Sequence, residues 1–295
     1  MKLINLSYEI LPQAPRMEGV YKQIELAGRT CYKSVRKEGT TAKDFVDRMI
    51  KSQHYAMLEH GTVYLLFSEC CYSRSDREFI DKYTKNPYSK VVYIGTDDDL
   101  VEQTPSKKNY LGDILGTGIY GNALYAITTN YRVLVENDWL DDLKYLCEPT
   151  EFHEKRVTVR FIADIHFYKD TTRHRVFSWA IESTRFCNYL KEKFGMSVSF
   201  MKPTWIKEED IPELEEDCKT IESIYFKWIN KGYQAQHAAY FLPQGTKAEV
   251  IMTGFVSDYN HFFDLRAKGT TGAPHPDVKA LVEPLMCEFK KRDWI

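Results

Sequence analysis

The stretch VTVRFIADIHFYKDTTRHRVFSWAIESTRF, residues 157–186, combines a strand pattern with a local concentration of positive charge. Its first part, 157–167, places Val, Val, Phe, Ala, Ile and Phe at alternating positions, and this period of two predicts a β-strand. The basic triplet Arg173-His174-Arg175 follows shortly after. The window 169–185 contains four Lys or Arg and two acids, so it carries +2 in a chain of net charge -2. An anion site is therefore expected close to the end of this strand.

The composition describes a folded protein with no general attraction to nucleic acid. Of 295 residues, 43% are hydrophobic and 28% are charged, which is enough apolar material for a sizeable core. Forty Lys and Arg against 42 Asp and Glu leave no overall basic field, so no nucleic-acid partner is expected. The first 15 residues lack the apolar stretch of a secretory signal, and no membrane span is expected. A cytoplasmic location is predicted.

The cysteines predict reduced thiols and no metal centre. The seven cysteines form no CxxC pair, and their odd number cannot close completely into intramolecular disulfides. Cys70-Cys71 is interpreted as a strand pair in preference to a zinc ligand pair. His54 and His60 are not at the i, i+4 spacing of a helical zinc pair, and the chain has no HExxH motif.

The periodicities predict an α+β protein, with long helices flanking an antiparallel sheet in a single elaborated domain over residues 1–295. No repeat, low-complexity tract or Pro/Gly/Ser-rich linker divides the chain. Strands are predicted at 2–10, 61–68, 90–94, 157–167 and 197–201. Helices are predicted at 42–50, with Thr40 or Thr41 as N-cap, and at 124–135, 211–229 and 278–289. The segment 97–121 has the glycines and charges of a long loop.

A helix over 175–186 would bring several polar side chains to one face. Arg175, Ser178, Glu182 and Arg185 would share it, with Ser183 one position round. Two guanidiniums, a hydroxyl and a carboxylate suit a ligand with a phosphate and a polar ring. The alternative from composition alone is a solvated basic turn.

The order of these residues resembles a known signature. RHR, seven further residues, Ser183, then Arg185 and an aromatic residue resemble the motif of the flavin-dependent thymidylate synthases. The upstream segment HYAMLEH, residues 54–60, is similar to the family's His and Glu-His segment. Leu242-Pro243 and Leu265-Arg266 are similar in spacing to its C-terminal Leu-Pro and Leu-Arg.

The resemblance implies reductive methylation of dUMP to dTMP by an FAD enzyme, with NADPH and methylenetetrahydrofolate as co-substrates. It also implies a homotetramer with shared active sites. The residues expected to hold the flavin are His54, Arg173, His174, Arg175 and His261. Those expected to bind the nucleotide are Asp170, Arg173, Glu182, Ser183, Thr184, Arg185 and Arg266. Arg266 and Ser183 are the catalytic candidates; Ser183, which has no GxSxG elbow, is interpreted as a binding hydroxyl and not as a covalent nucleophile.

The chain departs from the family pattern at several positions. It has Ala180-Ile181 where Asn-Glu is usual, so that Glu182 supplies a carboxylate one position later. Ala239 replaces an Arg that grips the nucleotide phosphate, Phe255 replaces a flavin-contacting Asn, and Asp170 stands where Gln is frequent. An insertion at about 72–155 is absent from compact members. These differences permit C5 modification of another pyrimidine nucleotide, and a nucleic-acid-binding protein that uses the RHR cluster is the alternative from another functional class.

Overall fold

The structure is a computed structural model that describes residues 1–69, 73–96 and 123–295. Cys70-Cys71 and the predicted loop 97–121 lie outside the described residues. The described chain forms two compact units. The first contains residues 1–12, 26–39 and 157–295, and the second contains 13–25 and 40–156. The single-domain expectation stays a prediction.

The strands belong to three sheets. They are β1 Lys2–Ile4, β2 Ser7–Leu11, β3 Thr62–Glu69, β4 Lys90–Thr96, β5 Ala123–Asn130, β6 Arg156–Asp164, β7 Ser178–Ile181, β8 Ser199–Met201 and β9 Lys247–Phe255. Their orders are β1-β8, β2-β6-β9-β7 and β3-β5-β4. The pairings β2–β6, β7–β9, β3–β5 and β4–β5 are antiparallel, and β1–β8 is parallel.

The α-helices lie between and after these strands. They are α1 Arg16–Tyr32, α2 Ala42–Lys51, α3 Arg74–Thr84, α4 Tyr131–Glu136, α5 Ile165–Thr171, α6 Ile211–Asn230, α7 Ala235–Ala238, α8 Val256–Phe263 and α9 Pro276–Lys291. Short 3-10 turns occur at Tyr55–His60, Leu140–Tyr145, Glu192–Phe194, Glu208–Asp210 and Ala239–Phe241, and Asp264–Lys268 is π-helical. The predicted fold class, helices with antiparallel sheets, is confirmed.

The first unit is built on the four-stranded sheet. Helices α8 and α9 pack on β6 and β9 through an apolar core that contains Phe161, Tyr259 and Phe289. Burying such large aromatic side chains is the main stabilising contribution in this unit. A smaller cluster around Tyr225 packs α6 against the segment that contains Cys187. The sheet thereby fixes the ends of β6, β7 and β9, where the candidate site lies.

The second unit contains the three-stranded sheet. Val63 and Leu65 of β3 and Ile127 of β5 are fully buried together with Tyr83 of α3. Strand β3 precedes the predicted insertion and β5 lies within it, and the two strands pair in one sheet. The described part of the insertion is therefore integrated into this unit and is not a separate appendage.

Three predicted boundaries are wrong. The expected strand 2–10 is two strands in two different sheets, and the strand 157–167 ends at Asp164, whose carboxylate caps α5. The helix predicted over 124–135 is strand β5 up to Asn130 and helix only from Tyr131. Strand β5 is the central strand of its sheet and is buried almost throughout, and such an apolar run is not distinguished from a buried helix by periodicity.

The conditional helix over 175–186 does not form. Ser178–Ile181 is a strand that pairs with β9, and the chain then turns from Glu182 onward. The shared helical face of Arg175, Ser178, Glu182 and Arg185 does not exist. Trp179 and Ile181 favour a strand, and the partner strand β9 decides between the two conformations.

Two further observations concern membranes and metals. None of the described helices combines the length and the apolar character needed to cross a bilayer. In the three described ranges, no group of three or more His, Cys, Asp or Glu side chains is arranged to hold a metal ion. None of the described cysteines, Cys31, Cys147, Cys187, Cys218 and Cys287, forms a disulfide.

Candidate functional site

The RHR triplet forms the turn between α5 and β7. The His174 amide donates to the carbonyl of Thr171 at 3.0 Å, and the His174 carbonyl accepts from the amide of Phe177 at 3.3 Å. These bonds direct His174 inward, where 8% of the residue is exposed. Arg173 and Arg175 on either side are exposed. One buried imidazole is thus flanked by two guanidiniums available to an anion.

Arg266 reaches this turn from the π-helical segment after α8. Its Nε lies 3.1 Å from Nε2 of His174, and its Nη2 donates to the carbonyl oxygen of Asp170 at 2.5 Å. The Asp170 carboxylate lies 3.6 Å from Nη1 of the same arginine. Three contacts therefore hold the guanidinium, which is largely buried. They join the Leu-Arg segment to the RHR segment, which precedes it by about 90 residues.

The protonation state of His174 follows from its surroundings. Burial, and then the positive charge of Arg266 and the proximity of His261, lower the pKa of His174 to about 4. The imidazole is therefore neutral at pH 7. Because Nε2 faces the N–H of Arg266, it acts as the acceptor, and we infer that Nδ1 carries the hydrogen. The ring of His261 lies 5.7 Å from that of His174.

The arginine itself is in an unusual environment for a cation. Burial and the positive charge of Arg173 lower the pKa of Arg266, and the Asp170 carboxylate opposes them. An arginine with a lowered pKa is still charged at pH 7 because its ordinary value is far higher. Arg266 is thus a fixed, partly desolvated positive charge, and such a charge acts more strongly on a neighbouring ligand than one in water.

The turn after β7 carries Ser183, Thr184 and Arg185. The Ser183 amide donates to the carbonyl of Cys31 at 3.0 Å, and its Oγ accepts from the amide of Arg185 at 3.3 Å. The Nε of Arg185 donates to Oε1 of Gln236 at 2.9 Å. Gln236 therefore orients the guanidinium of Arg185. Because Arg185 is exposed, this group is still accessible to a ligand.

The carboxylate of Glu182, the residue before this turn, belongs to an ion cluster. Its carboxylate accepts from Nζ of Lys247 at 2.5 Å and lies 3.5 Å from Nζ of Lys33. The same carboxylate oxygen accepts from the amide of Glu249 at 3.2 Å. With 4% of Glu182 exposed, these groups account for its carboxylate without a ligand. Its predicted role in substrate binding stays a prediction.

The structure divides the predicted site residues into groups. Asp170, His174 and Arg266 are in direct contact, with His261 beside His174. Glu182, Ser183, Thr184 and Arg185 are consecutive along the turn after β7. His54 is exposed and precedes the 3-10 turn of the second unit. Its expected place beside the flavin stays a prediction.

Several residues at this site were not identified from the sequence. Lys33, Lys247 and Glu249 complete the ion cluster, and Gln236 orients Arg185. Lys247 and Glu249 alternate on one strand, so they share one face of β9, which was a usable signal once that strand was recognised. The partner residues on α1 and α7 lie far away in the sequence, and no local pattern connects them.

Comparison with known families shows which family the chain belongs to. The sequence profile described as thymidylate synthase complementing protein matches residues 129–293, more than half of the chain. The chain belongs to this family, that of the flavin-dependent thymidylate synthases. The matched range includes the RHR triplet, the turn after β7 and Arg266, and it begins inside the predicted insertion.

Individual relatives match less of the chain. The flavin-dependent thymidylate synthase of Pyrococcus furiosus is 32% identical over 127 residues, which cover 42% of this chain and 49% of that protein. The chain thus matches about half the length of this curated family member. Two structures of the UMP/dUMP methylase PolB from Streptomyces cacaoi are weakly similar. The form with 5-Br dUMP has a TM-score of 0.42 and 12% identity, covering 99% of this chain and 93% of that chain. The form with 5-Br UMP has a TM-score of 0.38 and 16% identity, with 69% and 89% covered.

Proposed function

We propose that this family member catalyses the reductive methylation of dUMP to dTMP at C5 of the uracil ring. Its cofactor is FAD, with NADPH as reductant and methylenetetrahydrofolate as carbon donor. The observation that carries the proposal is the contact between Arg266 and His174, because it joins the two segments that the family signature places far apart. A solvated basic turn would not need a neutral, buried histidine held by a second arginine.

Arg266 is the catalytic residue of the proposal. Activating C5 of the ring develops negative charge on the pyrimidine, and a cation fixed beforehand stabilises that charge without reorganising during the reaction. The contacts to Asp170 and His174 supply this fixation. Since His174 is neutral, it adds no second positive charge that would compete with Arg266 for the ring. The carboxylate of Asp170 balances part of the charge of Arg266.

The turn after β7 is the nucleotide side of the proposal. Arg185 offers an exposed guanidinium to the phosphate, and a charged bidentate contact suits that group. Ser183 and Thr184 supply hydroxyls at the same turn. The Oγ of Ser183 accepts from the backbone amide of Arg185, which suits a binding hydroxyl, and nucleotide chemistry of this kind does not require it as a nucleophile.

The RHR turn is the flavin side of the proposal. The exposed side chains of Arg173 and Arg175 fit an anionic pyrophosphate, and the buried ring of His174 beside the exposed ring of His261 fits a heteroaromatic neighbour. The proposal assigns Arg173 to both ligands and His54 to the flavin. Bound FAD would supply the redox and carbon-transfer chemistry that the protein's own side chains lack.

A different pyrimidine nucleotide is the second candidate. Ala180 is fully buried in β7, opposite Ile251 of β9, so its side chain offers no polar group to a ligand. Ala239 begins a 3-10 turn and offers no charge. Because both positions usually carry polar residues in the family, UMP and dCMP belong in every assay beside dUMP. A nucleic-acid ligand for the RHR turn is the remaining alternative.

The direct test is ligand binding by the purified protein. The protein should retain FAD through gel filtration, with flavin absorbance at the protein peak and a thermal shift on adding FAD. Addition of dUMP should then perturb the flavin spectrum. A colourless protein that neither FAD nor dUMP stabilises would overturn the proposal, and tighter binding to a DNA or RNA oligonucleotide would favour the alternative from another class.

We also propose a homotetramer with shared sites in the cytoplasm. The support is family membership, together with apolar side chains such as Phe186 and Tyr240 that are exposed in the isolated chain. Light scattering should give four times the 34.6 kDa mass of the chain. A monomer that still turns over would refute the shared site.

A further inference from the structure

An ion cluster lies next to the turn after β7 that carries Ser183, Thr184 and Arg185, which we call the nucleotide turn. As a cluster, it is not part of the family signature. It consists of Lys33 at the end of α1, Glu182 after β7, and Lys247 and Glu249 on β9. Lys33 forms a close ion pair with Glu249, and Lys247 bonds to Glu182 at 2.5 Å. Glu182 is the most buried member, with 2% of its side chain exposed. Two ammonium groups and two carboxylates thus pair in a partly buried cluster, and Nη1 of Arg160 lies 3.9 Å from Glu249 at its edge.

The ammonium group of Lys33 stays protonated within the cluster. Burial alone would lower the pKa of Lys33, but Glu182 and Glu249 raise it above its ordinary value. Buried ionic groups are costly to desolvate, and hydrophobic replacements of similar volume are often as stable. A cluster that is retained at this cost is therefore better explained by the conformation that it specifies than by the stability that it adds.

The backbone of Lys33 carries a second cost. Its φ is +44°, in the left-handed region that favours glycine, and it comes directly after the last residue of α1. A lysine at this position is strained, and strain of this kind persists where the side chain has a purpose. Lys33 also accepts, through its carbonyl oxygen, a hydrogen bond from Nζ of Lys193 at 3.0 Å.

The elements that carry the cluster also hold the nucleotide turn. The amide of Glu182 donates to the carbonyl of Glu249 at 2.8 Å, and the amide of Ser183 donates to the carbonyl of Cys31, two residues before Lys33. Beyond the turn, the ring of Phe186 lies 5.7 Å from that of Tyr32. Both the main chain and the side chain at the start of the turn are therefore tied to α1 and β9.

We propose that Lys33 and Lys247 are positioning residues that clamp Glu182 and so hold Ser183 and Arg185 in the conformation that binds the nucleotide phosphate. The inference rests on the proposed function for the identity of the ligand. It assigns Glu182 to the clamp and not to the nucleotide. The measurement that tests the clamp is nucleotide affinity, because Arg266, the proposed catalytic residue, is not part of the clamp.

The test uses the flavin-loaded protein and the variant Lys247→Met. We expect the affinity for dUMP to fall about tenfold, the size of effect that loss of one coupled contact gives, while kcat at saturating dUMP and the flavin content stay unchanged. Lys219→Met removes an exposed lysine that pairs with Glu216 on α6 and is the matched control. A variant that lowers only the melting temperature, with unchanged dUMP affinity, overturns the proposal.

Two more variants distinguish the proposed effect from misfolding and from a direct contact between Glu182 and the nucleotide. Lys33→Gly relieves the left-handed backbone while it removes the ammonium, so the relief offsets part of the stability lost with the ion pair, and we expect weaker dUMP binding. Glu182→Gln and Lys247→Met should be non-additive, since both break the same pair. Losses that multiply in the double variant would mean that Glu182 contacts the nucleotide independently, and they would overturn the clamp.

Hydrogen exchange separates the clamp from the proposed function. Peptides that cover residues 183–187 should exchange faster in Lys247→Met than in the wild type and the Lys219→Met control, with or without nucleotide. Unchanged exchange overturns the clamp even if dUMP proves to be the substrate. If the wild type binds no dUMP, the proposed function fails, and faster exchange in the variant still supports the clamp as the device that orders this turn.

Discussion

Arg266 donates its Nε–H to Nε2 of His174 at 3.1 Å, so a buried cation is held by a histidine that stays neutral. The contact explains two features together. It orients the guanidinium through a lone pair that a protonated imidazole would lack, and it fixes the tautomer of His174. The carbonyl oxygen of Asp170, near the end of α5, accepts a further hydrogen bond from Arg266.

This relationship predicts a pH dependence of stability. The folded protein holds the pKa of His174 at about 4, whereas the unfolded chain returns it to its ordinary value of 6.5. Between these values the unfolded state binds more protons, so the contribution of His174 makes stability fall as the pH drops from 6.5 towards 4. Urea unfolding of the wild type and His174→Gln across this range should give a shallower slope in the variant. Parallel pH profiles would refute the assignment.

Arg266→Ala should impair turnover more than binding. A charge that stabilises the ring as it becomes negative acts chiefly in the transition state, so we expect kcat to fall by roughly 10²- to 10³-fold. The KM for dUMP should change much less. Lys268→Ala, which removes an exposed charge from the same π-helical segment, is the control and should retain full activity. Equal losses in both variants would point to damage to the segment itself.

Arg185→Ala should weaken nucleotide binding and leave the flavin in place. A charge-assisted contact to phosphate is worth roughly 1.5 to 3 kcal/mol, or about 10- to 150-fold in affinity. Titration of the flavin-loaded protein with dUMP measures the change, and Arg292→Ala, directly after α9, is a matched surface control. Ser183→Ala should keep residual turnover, because its hydroxyl is a binding group. Unchanged dUMP affinity in Arg185→Ala would contradict the placement of the phosphate.

Gly254→Ala should destabilise the first unit. A Cβ at this position of β9 would overlap the ring of Phe177, which follows the RHR turn and packs against Tyr259 at 4.8 Å. Overpacking of this kind costs about 1 to 3 kcal/mol in the free energy of unfolding. Gly245→Ala is the matched control, because no atom lies within 4 Å of its added Cβ. Denaturant melts should separate the two variants; equal stability would mean that Phe177 moves aside freely.

Local patterns were sufficient for many of the elements. Helix α2 begins at a capping box in which Thr41 and Asp44 bond reciprocally, and its apolar residues repeat with the helical period. Helix α9, predicted over 278–289, begins at Pro276 and continues through Pro284. In each case the signal lies within a few residues of the feature that it predicts. The order RHR, Ser183, Arg185 is local in the same way, and it predicts the nucleotide-binding role proposed for the turn after β7.

Features that depend on distant partners were not accessible in this way. The conformation of 178–181 is decided by pairing with β9, and a helical pattern competed with it in the sequence. The clamp joins Lys33 to Glu182 and Lys247, and ion pairs between distant segments leave no periodic signature. The inward orientation of His174 likewise depends on Arg266. The sequence therefore predicted the type of site, and the structure shows which side chains contact one another there.

The central claim is C5 chemistry on a pyrimidine nucleotide, and tritium release tests it most directly. The FAD-loaded protein, supplied with NADPH and methylenetetrahydrofolate, is given dUMP, UMP or dCMP labelled with tritium at C5. The account predicts release from dUMP together with formation of dTMP, and a loss of release when FAD is removed. The absence of release from all three nucleotides, in a protein that holds FAD, would contradict it.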